Sequence, residues 1–244
     1  MSAPIPALRL VDLTKSYRGP GGRVRVLDVL NAEFARSSLT AVMGPSGGGK
    51  STLLNCAAGI DAPDSGRVLL GDTDLATCSD RHLTQVRRTR IGFVFQQLNL
   101  LPMLTAYGNV ALPLRLRHQR VRRSVVMGAL EQVGLAGKER RRPAQLSGGE
   151  QQRVAIARTM AVDNEIVFAD EPTGSLDRGT GRGVIRLFRE LVDTHRQTVV
   201  MVTHDPAVAA AADRVLFLFD GRLVRSLEHP TVDTVTAQLA TWEK

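Results

Sequence analysis

The chain has 244 residues, 43% of them apolar, and a net charge of +8 carried mostly by arginine, since Lys15, Lys50, Lys138 and Lys244 are its only lysines. That apolar share builds a core for one or two domains, while no run approaches the roughly 18 consecutive apolar residues of a membrane span and no export signal is expected at the N-terminus. Two cysteines, Cys56 and Cys78, lack metal-ligand spacing and predict reduced thiols rather than a zinc site or a disulfide framework.

Basic clusters stand at 87–90, 115–123 and 138–142. No aromatic residues interleave them for base stacking. A solvated face, or a surface turned to an anionic membrane, is therefore favoured over nucleic acid.

In chain order, residues 7–17 alternate like a half-buried strand, stop at the turn-rich stretch 18–22, and the pattern resumes over 23–34. Tyr17 ends the first strand as a ring that either packs or stacks on a base. Residues 39–43 form a short apolar run of strand type, and 52–58 form a helix closed by Gly59. Between them lie Gly44, Pro45, Ser46, Gly47, Gly48, Gly49, Lys50, Ser51 and Thr52, which fit G-x-x-x-x-G-K-[ST]. A triphosphate must lie against backbone N–H groups, and side chains at 47–49 would obstruct it. Lys50 supplies a point charge for the β and γ phosphates, Ser51 a hydroxyl for Mg²⁺, and Thr52 reaches the α phosphate.

Residues 79–88 read as a helix and 91–95 as a buried strand ending on Gln96. A glutamine there is either a surface residue or a neutral ligand to Mg²⁺ or to water. An arginine-rich helical insert follows over 105–135, interrupted at Pro113 and again near Gln119. Ser147, Gly148, Gly149 and Glu150 open a helix at 151–161. Their S-x-x-E spacing is that of a capping box, yet two glycines at a helix start also leave bare amides for a second anion. Two phosphate-type sites so far apart in the chain imply one nucleotide shared by two copies.

The apolar strand 165–170 delivers Asp170 and Glu171 at its carboxyl end, where parallel sheets place ligands. Asp170 suits a Mg²⁺ shell and Glu171 suits orienting and deprotonating a water. Asp177 leads into an amphipathic helix at 178–195. The strand 198–203 ends at His204, placed to touch a γ phosphate. A hairpin at 214–224 and a helix at 231–242 complete the chain.

The order of these motifs resembles one family, the nucleotide-binding subunits of ABC transporters. GPSGGGKST is similar to its Walker A loop, FVFQQ to the Q-loop at Gln96, LSGGE to the signature, IVFADE to the Walker B strand, SLD to the D-loop with Asp177, VTHD to the switch histidine, and Tyr17 to the aromatic A-loop residue. The resemblance implies an α/β P-loop NTPase. Its RecA-like core with an antiparallel β subdomain would occupy 7–96 and 146–228, a helical subdomain about 97–145, and a C-terminal helix 229–244.

The resemblance further implies ATP and Mg²⁺, the metal held by Ser51, Gln96 and Asp170. A second copy would dock head to tail, Ser147 and Gly149 of one chain closing over ATP held by Lys50 of the other. Glu150 stands where glutamine is commoner. Stretches 98–114, 146–161 and 169–177 are similar to the macrolide-exporter and lipoprotein-releasing (MacB/LolD-like) group. That group implies an integral membrane permease partner and a place at the cytoplasmic face of the cell membrane, with export or mechanical signalling as output. A relative that controls cell-wall hydrolases at division shares the pattern and stands as the alternative. The short stretch between Gln96 and Ser147 leaves no room for the coiled coil of a DNA-repair ATPase, and no N-K-x-D motif marks a GTPase.

Overall fold

The computed structural model describes residues 5–19, 22–174 and 176–242. The long strands β1 (Leu8–Gly19) and β2 (Gly22–Phe34) pair antiparallel, and β1 also pairs with β4 (Ser65–Leu70), which carries the two-residue strand β5 (Thr73–Asp74). Alternation of buried and exposed residues along β1 and β2 is what a sheet with one wet face requires.

The second sheet has the order β10-β9-β3-β8-β7-β6. Its strands are β3 (Leu39–Met43), β6 (Ile91–Val94), β7 (Ile166–Asp170), β8 (Thr198–Val202), β9 (Arg214–Phe219) and β10 (Arg222–Glu228). All pairings are parallel except the β9–β10 hairpin at the edge. Strands β3 and β8 are buried at every position, which is why they read as unbroken apolar runs rather than alternating ones.

Helix α1 (Lys50–Ala57) lies between the two sheets, its Leu53 and Leu54 packed with Leu8, Leu27, Val42 and Phe168. On the other face of the parallel sheet pack α5 (Gly148–Met160) and α6 (Arg178–Asp193), and α3 (Ala106–Leu116) and α4 (Arg123–Gln132) pack on α5. Helix α2 (Asp80–Arg90) leads into β6, the short α7 (Pro206–Ala209) follows β8, and α8 (Val232–Ala240) comes last, with the Trp242 ring tilted against Phe217 at 5.1 Å between centroids.

Three expectations change. Pro113 does not interrupt its helix: α3 runs through it to Leu116, because the missing N–H removes a single bond near the helix end while Val110, Ala111 and Leu114 are buried. The break comes beyond it, where His118 takes a left-handed φ of 55°. Helix α5 begins at Gly148 rather than 151, so both glycines lie in its first turn. Strand β10 runs on to Glu228, and β5 and α7 had no periodicity to announce them.

Candidate functional site: a phosphate loop at the carboxyl edge of the sheet

Buried β3 delivers the chain at Met43 into residues 44–49, and α1 starts at Lys50, so the loop's amides and the helix N-terminus face the same space. The loop is braced on two sides. A Cβ at Gly44 would lie 2.0 Å from the carbonyl oxygen of Leu218 in β9, and one at Gly49, where φ is 94°, would lie 2.7 Å from that of Val26 in β2. Pro45 accepts an N–H bond from Gly48 at 3.1 Å, and Ser46 and Gly47 form the exposed tip.

Lys50 folds back over this loop, its Nζ donating to the carbonyls of Gly44 (2.9 Å) and Pro45 (2.8 Å). Burial lowers its pKa, opposed by the carboxylates of Glu171 and Asp170. Those two acids stand at the carboxyl end of β7, and His204 follows the end of β8. Because β3, β8 and β7 are adjacent and parallel, all these groups gather on one edge of the sheet.

Ser51 donates its hydroxyl to Asp170 Oδ1 at 3.4 Å. Burial raises the Asp170 pKa, with Ser51 and Lys50 opposing. A hydroxyl and a half-buried carboxylate make a hard oxygen pair of the kind that suits Mg²⁺. Glu171 holds a left-handed φ of 46°, secured by its N–H donating to Val202 O at 3.0 Å. Its Oε2 lies 2.7 Å from Nδ1 of His204. His204 is largely exposed and Glu171 mostly covered, so the imidazole caps the carboxylate from the solvent side.

Tyr17 remains accessible, but its hydroxyl donates to Asp61 Oδ2 at 2.5 Å, and Lys15 Nζ both pairs with Asp61 Oδ1 at 2.7 Å and sits 5.1 Å from the ring centre. Burial and Asp61 hold the phenol above its ordinary pKa, while the Thr52 side chain beside it acts the other way. The ring is thus tied to the turn that follows α1. Gln96 lies exposed in the turn after β6. That turn is held from behind by the partly buried Arg158 of α5, whose guanidinium donates to the carbonyls of Asn99 (2.9 Å) and Leu98 (3.3 Å) and to that of Phe93 in β6 (3.4 Å).

The predicted second anion site is separate from the first. Ser147 caps α5, accepting from Glu150 N–H at 3.3 Å, while Glu150 Oε2 accepts from Ser147 N–H at 3.0 Å. A cavity of about 510 Å³ opens here, walled by Ser147, Gly148, Gly149, Glu150, Lys138 and Asp177, and no residue of the 44–52 loop lines it. Asp177 also caps α6, taking the amides of Gly179 (2.9 Å) and Thr180 (3.0 Å) and the Thr180 hydroxyl (2.6 Å). Ser175, the first residue of the predicted Ser175-Leu176-Asp177 turn, lies outside the described residues. Sequence reasoning missed Asp61, Lys15 and Arg158. None sits in a phosphate motif, and only the fold shows what they touch.

A phosphate loop, a paired acid and imidazole and a hydroxyl–carboxylate pair on one sheet edge define a P-loop nucleoside triphosphatase. A protein-family model described as ABC transporter matches residues 27–174. The chain is 43% identical over 221 residues to an uncharacterized ABC transporter ATP-binding protein, YvrO of Bacillus subtilis, covering 89% of this chain and 95% of that one. It is 41% identical over 223 residues to the macrolide export ATP-binding/permease protein MacB of Sodalis glossinidius, covering 90% of this chain but 34% of that longer protein. Among solved structures it is similar to the ATP-binding cassette MJ0796, in a dimeric post-hydrolysis state bound to ADP and Pi, with a TM-score of 0.85 at 38% identity over 92% of this chain and 99% of that one. This chain belongs to the ABC transporter family. It is an ATP-binding subunit and an ATPase.

Proposed function

We propose that two copies of this chain associate head to tail, each phosphate loop holding an ATP that the Ser147–Glu150 turn of the other copy closes. The observation that carries this reading is the separation of the two anion sites within one chain, the 44–52 loop contributing nothing to the cavity at the start of α5. MJ0796, at 38% identity, is dimeric with ADP and Pi, which supports the same arrangement here.

In this reading the loop amides and Lys50 bind the β and γ phosphates, and Tyr17 stacks on the base. Glu171, oriented by His204 at 2.7 Å, aligns and deprotonates the attacking water. His204 lies on the solvent side to hold the γ phosphate as it passes through an in-line, metaphosphate-like transition state, and the Ser147 hydroxyl and Gly149 amide from the second copy meet the same charge. Ser51, Asp170 and Gln96 would hold Mg²⁺, which supplies Lewis-acid stabilisation of charge on the phosphates when bound.

The transport partner is a separate membrane permease, of the MacB/LolD-like type. MacB of Sodalis glossinidius carries ATP-binding and permease parts in one protein, which supports a permease for this chain as well. An apolar hollow of about 380 Å³, bordered by Phe93, Pro113, Leu116 and Arg158, lies between the parallel sheet and α3, with Met103 exposed nearby in sequence to 75%. Such a surface suits an inserted helix from a partner. Docked there, the chain works at the cytoplasmic face of the membrane. The test is the Glu171→Gln chain with ATP: it should form dimers by sedimentation without releasing phosphate, and co-purify with its permease. A monomer at saturating ATP, even beside the permease, would refute the reading. A partner that governs cell-wall hydrolysis instead of transport would select the division alternative.

A further inference from the structure

The first turn of α5 holds a contradiction in charge. Its free amides and the helix dipole favour an anion, yet Glu150 places a full negative charge at the third position, beside the place a phosphate must occupy. Both carboxylate oxygens of Glu150 are committed. Oε2 accepts from the Ser147 amide at 3.0 Å, and Oε1 pairs with the ammonium of Lys138. Ser147 Oγ serves the capping box as an acceptor from Glu150 N–H, which leaves its own hydrogen free to donate outward.

Lys138 reaches this point from the turn after α4. Its own amide donates to Leu135 O at 3.1 Å, and its carbonyl accepts from Arg141 at 3.0 Å, so the residue is fixed by backbone bonds on both sides. Its side chain is only partly exposed and lines the same cavity as Ser147, Gly148 and Gly149. Above Gly148 there is open space, since a Cβ there would meet nothing within 4 Å. Lys50 and Lys138 are thus two of the chain's four lysines, and each stands at one of its two anion sites.

We infer that Lys138 is a positioning residue for nucleotide bound in trans: it neutralises Glu150 and keeps the start of α5 receptive to the triphosphate carried by a second copy. The inference rests on the head-to-tail reading above. It orders four chains by charge at this turn. Relative to the native pair, Lys138→Gln adds one net negative charge, Lys138→Gln with Glu150→Gln restores neutrality, Glu150→Gln adds one positive charge, and Lys138→Arg changes nothing.

The experiment measures ATP-dependent dimerisation by sedimentation, with each change placed in the Glu171→Gln chain. Lys138→Gln should weaken the dimer by about tenfold per nucleotide site at low salt, and by less at high salt, where screening removes the repulsion. The double variant should recover most of that loss, Lys138→Arg should match its parent, and Glu150→Gln alone should dimerise at least as tightly as its parent. Nucleotide affinity of each chain diluted below dimerisation should not change, because the phosphate loop is untouched. If the double variant is as weak as Lys138→Gln, the pair is a staple between the α4–α5 connection and α5, and the inference falls. It falls equally if Lys138→Gln dimerises like its parent. If the Glu171→Gln parent itself stays monomeric with ATP, the head-to-tail reading fails first, which separates the two failures.

Discussion

Glu171 and His204 face each other at 2.7 Å from the ends of two neighbouring parallel strands, and Glu171 does so from a left-handed backbone at φ 46°. That conformation costs a non-glycine residue on the order of 1–2 kcal/mol. The neighbouring hydrogen bond from its amide to Val202 O holds it in place. The carboxylate is therefore aimed before any substrate arrives.

Glu171→Gln should lower ATP turnover by about 10³-fold or more while nucleotide affinity stays within a few fold, and His204→Ala should lower turnover by about 10²-fold. Phosphate release under saturating ATP measures both. Turnover at wild-type rate in Glu171→Gln would reassign the base.

Asp170 carries a pH consequence. Burial raises its folded pKa above the unfolded value, so this group favours the folded chain below the unfolded pKa, and that contribution is lost as pH rises through the folded pKa. At neutral pH without Mg²⁺ the ionised carboxylate is a destabilising residue. Asp170→Asn should raise the Tm of the nucleotide-free chain by about 1–3 °C while abolishing Mg²⁺-dependent hydrolysis. A lower Tm in calorimetry would contradict this.

Arg158 holds the Gln96 turn from inside the protein, and burial lowers its pKa. Replacing it with Met leaves two carbonyls of that turn, and that of Phe93 in β6, without this donor and should cost about 2–4 kcal/mol in urea unfolding. Lysine keeps the charge but not the planar fork and should recover only part. Unchanged stability in the Met variant would show the turn is held by other means.

The arginines of the helical insert are not equivalent. Arg117 donates to Arg88 O (2.7 Å), Asp163 O (2.8 Å) and Asn164 Oδ1 (2.7 Å), whereas Arg115, Arg120 and Arg122 are exposed. Arg117→Gln should destabilise the fold by about 1–2 kcal/mol, and the other three by less than about 0.5 kcal/mol each. A membrane-docking role for the basic insert is therefore tested with Arg115, Arg120 and Arg122 together, scoring assembly with the permease, and Arg117 left alone.

Much of the site is legible in sequence because its residues work through backbone and spacing. The 44–52 loop needs glycine where a Cβ would collide with Leu218 O or Val26 O, and such needs leave a pattern in the chain. Strand ends announce Asp170 and His204 because buried parallel strands are unbroken apolar runs with polar stops. Contacts that a side chain makes far along the sequence leave no such trace. Asp61 meets Tyr17 across a separation of 44 residues, and Arg158 meets Asn99 across 59. Pro113 misleads for a related reason: a propensity rule sees the lost bond but not the buried face that outweighs it.

The phosphate loop is braced at Gly44 against Leu218 of one sheet and at Gly49 against Val26 of the other, so its two ends are held while its tip at Ser46 and Gly47 stays exposed. Nucleotide thus meets a cradle already shaped, with Lys50 still to be released from its two carbonyls. In the head-to-tail reading proposed above, ordering is left to the meeting of two chains, which makes that encounter, rather than arrival of fuel, the point of control for the cycle.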